Sequence, residues 1–267
     1  MSATALRRPL GPGPVRFERR EDGCLMVRPE RQLGAYPRRL TERLEHWASR
    51  DPERTLIARR EGGGEWRRIS YGGMLARVRA LGQALLHRAL SPERPLAILS
   101  GNCLDQAALT LAALHVGVPV APVSPSYSLL AKDYAKLRHC LDLLTPGLVF
   151  VNDRARFAPA IAAAVPAGTE VLDAAGVAAL LATRPTAAVE RAAASLDPDA
   201  PAKILFTSGS TGLPKGVINT QRMLCSNQQM LLEAFPFMAE EPPVLLDWLP
   251  WHHTFGGNHN LGLVLYN

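Results

Sequence analysis

Lysine is nearly absent from this chain. Only Lys132, Lys136, Lys203 and Lys215 occur, although lysine and arginine together number 30. The formal charge of +6 is therefore carried almost wholly by arginine. Much of it stands in pairs near the N-terminus: Arg7-Arg8, Arg19-Arg20, Arg38-Arg39, Arg59-Arg60 and Arg67-Arg68. These pairs are spread among acids, with no interleaved aromatics and no nucleic-acid motif, so they read as solvated surface and no nucleic-acid partner is expected. Cysteine is scarce as well. Cys24, Cys103, Cys140 and Cys225 are far apart and form no C-x-x-C pair, which argues against a zinc ribbon or a disulfide framework. Each is expected to be a small buried or half-buried hydrophobe in a reducing compartment. No apolar run reaches the ~18 residues of a spanning helix. Pro9, Gly11, Pro12, Gly13 and Pro14 occupy the place where a signal peptide needs an apolar stretch. A cytoplasmic location without a membrane partner is the expectation.

What is present is a regular alternation. The length allows one or two domains with a sizeable core. Residues 1–35 are rich in Pro, Gly and Arg and read as a partly ordered lead-in with one short strand near Cys24–Val27. Leu40, Leu44 and Trp47 recur at helical spacing, with Thr41 as the expected cap. Thr55–Ala58 and Trp66–Ile69 flank three glycines as a hairpin. An amphipathic helix capped by Ser70 follows. Short apolar runs at 95–99, 118–123, 148–151 and 171–172 then alternate with helical segments at 103–116, 129–144, after Asp153 and at 176–182. That order predicts a layered α/β fold with a mostly parallel sheet. Residues 183–201 read as a proline-punctuated connection and a candidate subdomain boundary. Thr220 is expected to cap a helix over 221–235, and Val244–Leu249 reads as a strand.

Two stretches carry chemistry. The first is Ile204-Leu205-Phe206-Thr207-Ser208-Gly209-Ser210-Thr211-Gly212-Leu213-Pro214-Lys215-Gly216-Val217. It describes a strand, a tight loop and a second strand. Glycines let backbone N–H groups approach a ligand, the hydroxyls of Thr207, Ser208, Ser210 and Thr211 add donors, and Lys215 adds a compact charge. With no acid from Lys203 to Gly216, the stretch suits a polyphosphate. It is not a Walker A loop, because Lys215 follows Gly209 by six positions, is preceded by Pro214 and is followed by Gly216 rather than Ser or Thr. A featureless linker would lack the apolar flanks.

The second is Trp248-Leu249-Pro250-Trp251-His252-His253-Thr254-Phe255-Gly256-Gly257-Asn258-His259-Asn260. Metal binding by His252, His253 and His259 is disfavoured, since adjacent residues at a strand end point oppositely and the cluster has no acidic ligand. Core packing at a strand-to-helix corner competes with an aromatic-lined pocket wall, a position that α/β folds use for substrates.

At these motifs the sequence resembles the adenylate-forming superfamily of acyl- and aryl-CoA synthetases, luciferases and peptide-synthetase adenylation domains. Thr207–Gly216 matches the superfamily's phosphate-loop signature without a departure. Leu249–Gly256 is similar to its following motif, L-P-x-[aromatic]-H-x-x-[small], with His253 as the motif histidine and His252 in place of the usual aromatic. Leu111–Val123 looks like an early motif of the large domain. The His-rich run is most similar to feruloyl-CoA synthetases of bacterial aromatic catabolism.

The resemblance covers residues 36–267 and implies an incomplete large N-terminal domain, with the C-terminal domain absent. It implies attack of a carboxylate, in this case a hydroxycinnamate such as ferulate, on the α-phosphate of ATP, then displacement of AMP by coenzyme A. Thr207, Ser208, Gly209, Ser210, Thr211, Gly212, Lys215 and Gly216 would hold the β- and γ-phosphates. His253, Thr254, Phe255, Gly256 and Gly257 would border the aryl pocket, the glycines letting a planar ring approach the backbone. Magnesium would be needed, but no metal ligand and no catalytic residue is assigned within this stretch; both belong to segments the family carries further on. On that reading residues 1–267 alone are inactive. An activator of another carboxylic acid, a non-catalytic nucleotide- or partner-binding module and a decayed fragment remain the alternatives.

Overall fold

The computed structural model describes residues 11, 13–60, 62–207 and 212–267. Ten strands occur among them: β1 (Val15–Arg19), β2 (Leu25–Pro29), β3 (Thr55–Arg60), β4 (Trp66–Ser70), β5 (Leu96–Ile98), β6 (Val120–Pro122), β7 (Leu148–Phe150), β8 (Glu170–Leu172), β9 (Pro201–Thr207) and β10 (Lys215–Thr220). Six form the central sheet in the order β10-β9-β6-β5-β7-β8. All its pairings are parallel except the β9–β10 hairpin. This is the expected α/β fold with a mostly parallel sheet.

The three-residue strands β5, β6 and β7 are buried at every position, as strands covered on both faces must be. Their alternation feeds two cores. Leu96 and Ile98 face the layer of helices Thr41–Arg50, Tyr71–Leu86 and Leu104–Val116, whereas Ala97 and Leu99 face Leu137, Leu141 and Phe157. Full burial of a side chain such as Phe150 or Phe157 contributes roughly 1.5–3 kcal/mol.

Local signals held where the partner lies within one turn. Ser70, Asp153 and Thr220 each cap a helix by accepting from the N–H three residues on. Gly117 closes the Leu104–Val116 helix at φ 79°, a left-handed conformation that suits glycine. Elsewhere the chain departs from expectation. Thr41 lies inside its helix, fully buried, with Oγ1 3.1 Å from His115 Nδ1, and Leu40 takes the cap position. The 129–144 helix is two pieces, Ser126–Leu129 and Ala135–Leu144, separated at Tyr134, whose φ is 53°. The lead-in holds a two-stranded hairpin rather than one strand. Cys24 is exposed; Cys103, Cys140 and Cys225 are buried. Burial pushes the Cys140 and Cys225 thiols up to about 12, so they act as hydrophobes.

The proposed boundary at 183–201 is absent. Thr186 caps a helix, Ala187–Ala194, whose Val189 and Ala193 are buried, and β9 joins the same sheet through β6. The apolar residues of that helix are too widely spaced among alanines to stand out in the sequence. Residues 244–249 form no strand. Val244 and Leu246 are 96% and 90% exposed, so the apolar run has no sheet neighbour here. No helix among the described residues is long and apolar enough to cross a membrane.

Candidate phosphate loop and acyl-facing corner

β9 and β10 are an antiparallel ladder from Pro201↔Thr220 up to Thr207↔Lys215. The loop at its end leaves the sheet at the carboxyl edge of β9, on the side where β6 and β5 also end, the usual ligand side of an open α/β sheet. Thr207 and Lys215 thus face each other as the last register pair, and Thr207 Oγ1 donates to the Lys215 carbonyl at 3.4 Å. Both side chains are exposed. Gly212 has φ 97° with open space on its Cβ side. The Pro214 carbonyl accepts from His139 Nε2 at 2.9 Å, tying the returning limb to the Ala135–Leu144 helix. Gly216 packs over Ile204. Ser208, Gly209, Ser210 and Thr211 lie outside the described residues. The rim therefore offers a hydroxyl, a left-handed glycine and an ammonium. The absence of any acid from Lys203 to Gly216 fits a polyphosphate and not a bare divalent cation.

The His-rich stretch is not a strand leading into a helix. An irregular segment leads into a turn at 251–253, and a π-helix, Phe255–Asn260, runs on into an α-helix, Leu261–Tyr266. Such wide turns are rare and cluster at functional positions. Asn102, in the loop after β5, clamps the entry: its Nδ2 donates to the Leu249 carbonyl at 2.8 Å and its Oδ1 accepts from Trp251 N at 2.9 Å.

His253, Thr254 and Phe255 are exposed on the corner. Phe255 lies against His259, ring centroids 4.8 Å apart at 36°, and His253 Nδ1 accepts from Phe255 N at 3.4 Å. Burial, then the neighbouring His253, lowers the His252 pKa.

Gly256 and Gly257 have a different role from the one expected. Both are buried, and a Cβ on Gly256 would stand 2.6 Å from the Pro250 carbonyl oxygen, while one on Gly257 would collide with that of Trp251. The chain's own backbone, not a planar ring, occupies that side. Gly257→Ala is expected to cost about 1–3 kcal/mol through forced backbone displacement. Thermal denaturation checks this; an unchanged Tm would show that the corner yields freely.

The two stretches meet. Lys203 and Asn219 form a register pair four residues down the ladder from Thr207 and Lys215, roughly 13 Å at 3.3 Å per residue. Lys203 Nζ donates to the Gly257 carbonyl at 2.8 Å and to Asn258 Oδ1 at 3.1 Å. Asn258 Nδ2 donates to Asn219 Oδ1 at 3.1 Å. Gln228 Nε2, from the Gln221–Ala234 helix, donates to the Asn258 carbonyl at 2.9 Å. These four residues escaped sequence reasoning, although a lysine inside an apolar strand was a signal.

Residues 44–267 match the family described as AMP-binding enzyme. The chain belongs to that family. It is 30% identical over 195 residues to 4-coumarate–CoA ligase-like 9 of Arabidopsis thaliana, covering 70% of this chain and 33% of that protein. Among solved structures it is similar to ATP-bound MatB from Rhodopseudomonas palustris, at 26% identity and a TM-score of 0.63, covering 86% of this chain and 43% of that one. The adenylation domain of a keto acid-selecting peptide-synthetase module, bound to keto acyl adenylate, shares the fold. It has 19% identity and a TM-score of 0.71, with 88% and 41% covered. This chain thus spans about a third of that curated relative and about two-fifths of those solved chains.

Proposed function

We propose that residues 36–267 form the N-terminal part of an AMP-binding domain that activates an aromatic carboxylic acid, a hydroxycinnamate such as ferulate, at the expense of ATP. The observation that carries this reading is the packing of the Phe255–Asn260 corner against the ladder that ends in the Thr207–Gly216 loop. A carboxylate oxygen attacks the α-phosphorus, an acyl–O–P bond forms, the bond to the β-phosphate oxygen breaks and pyrophosphate leaves. Coenzyme A thiol then displaces AMP to give the thioester. Thr207, Gly212, Lys215 and Gly216, with Ser208–Thr211 between them, would hold the β- and γ-phosphates, where charge builds as pyrophosphate departs; donors already aimed there lower the barrier. Magnesium would arrive as the ATP complex, since this rim supplies no carboxylate. His253, Thr254 and Phe255 would border the ring of the acid, and the half-exposed Phe255 offers a stacking face. A relative whose name contains 4-coumarate–CoA ligase supports the aromatic choice.

Because the chain spans so little of its relatives' length, we assign it the phosphate grip and one acyl-facing wall, and residues 1–267 alone are expected not to complete activation. ATP–pyrophosphate exchange with ferulate, 4-coumarate, benzoate, a fatty acid, malonate and an amino acid tests the substrate. The assay belongs on the longest polypeptide this coding sequence yields, with residues 1–267 run in parallel. Exchange is expected with the hydroxycinnamates; preference for an aliphatic or amino acid would overturn the aromatic reading.

A further inference from the structure

We propose that Lys203 is a positioning residue: it fixes the π-helical corner Phe255–Asn260 onto the strand that leads into the phosphate loop, so that the acyl-facing wall and the phosphate grip are held in one register. The proposal rests on the functional reading above for the identity of that wall, and on geometry for the contact itself.

Lys203 is only 3% exposed, in the middle of β9. Its neighbours on the strand, Ile204 and Phe206, face the opposite core, so the pleat directs Lys203 to the other side of the sheet. An ammonium buried there is costly unless its donors are used. Among the described residues no carboxylate pairs with it; burial alone lowers its pKa, to about 8. Its partners are instead the Gly257 carbonyl and Asn258 Oδ1. Both belong to the wide turn, a rare geometry that recurs at functional positions.

The rest of the network fits the same role. Gln228 Nε2 takes the Asn258 carbonyl and, at 3.3 Å, that of His259. Asn258 Nδ2 reaches both Asn219 Oδ1 on β10 and Thr254 Oγ1. Lys203 and Asn219 are cross-strand partners in the hairpin. The corner is therefore pinned to both strands of the phosphate hairpin, and Thr254 and Phe255 project from the pinned turn. A lysine serves here because its long stem crosses the layer while its head supplies several donors at one point. An ordinary apolar strand residue would make neither of these two contacts.

The test is Lys203→Met, with Asn258→Ala as a second variant should the first fail to fold. Hydrogen exchange of residues 254–262 in the 267-residue chain is expected to accelerate at least tenfold in either variant, with Leu96–Ile98 and Leu148–Phe150 unchanged. In the polypeptide that exchanges pyrophosphate, the KM for the acid is expected to rise at least tenfold while the KM for ATP stays within twofold. Unchanged protection at 254–262 would overturn the proposal, as would a loosened corner with the acid KM unmoved. If the wild type activates no carboxylic acid, the functional reading fails separately, and the exchange result still decides whether Lys203 holds the corner.

Discussion

Lys215→Ala is expected to weaken the binding of ATP and of pyrophosphate about ten- to a hundredfold. A hydrogen bond or ion contact to a charged group is worth about 1.5–3 kcal/mol, and 1.4 kcal/mol is a factor of ten in affinity. Lys215 is the one cation between Lys203 and Gly216, and it stands on the loop rim opposite Thr207. Its side chain is exposed, so truncation removes nothing from either core and the Tm should stay within about a degree. Equilibrium dialysis or calorimetry with the 267-residue chain separates the effects. Undiminished affinity in the variant would mean that nucleotide, if bound, is held elsewhere.

Stability is expected to fall by about 3 kcal/mol between pH 6.5 and pH 4, through His115. That imidazole is fully buried, its Nδ1 on Thr41 Oγ1 and its Nε2 without a partner. Burial, first, and the nearby Arg39, second, pull its pKa from 6.5 to about 4, with Glu190 opposing and Arg79 adding. Glu45 and Glu190 lie close to the ring, but Arg39 and Arg79 already pair with them at 2.9 and 2.8 Å. A group whose folded pKa is depressed is neutral in the native state until the pH reaches the lower value. Between 6.5 and 4 the unfolded chain binds a proton that the folded chain does not, and stability declines as the pH falls. Above 6.5 no such loss exists. At 1.36 kcal/mol per unit the 2.5-unit window gives the figure stated. Urea denaturation across this range should show the slope in the wild type and its reduction in His115→Asn. Equal slopes would place the acid sensitivity on other groups.

Much of the architecture was legible because its causes are local. Buried parallel strands are short unbroken apolar runs, and Leu96–Ile98, Val120–Pro122 and Leu148–Phe150 have that form. Caps at Ser70, Asp153 and Thr220 bind an N–H three residues away, so their signal is contained in a few letters. The apolar run 244–249 misled for the opposite reason. Being apolar does not make a strand unless another strand has an edge free to pair with it, and pairing is a long-range event. The Ala187–Ala194 helix was hidden because alanine carries helix propensity with little periodic contrast.

The candidate phosphate loop was legible in the sequence alone. Strand, glycines, hydroxyls, Pro214 and Lys215 are consecutive, and the hairpin that presents them closes within 20 residues from Pro201 to Thr220. What only the tertiary structure decided is how the second stretch is held. Lys203 and Gly257 are 54 residues apart, and nothing in either neighbourhood announces the other. Gly256 and Gly257 suggested room for a ring, whereas the folded chain fills that room with the carbonyls of Pro250 and Trp251. Residue type states what a side chain can donate or leave vacant. Which oxygen stands 2.8 Å away is set by the packing of the sheet and helices between them.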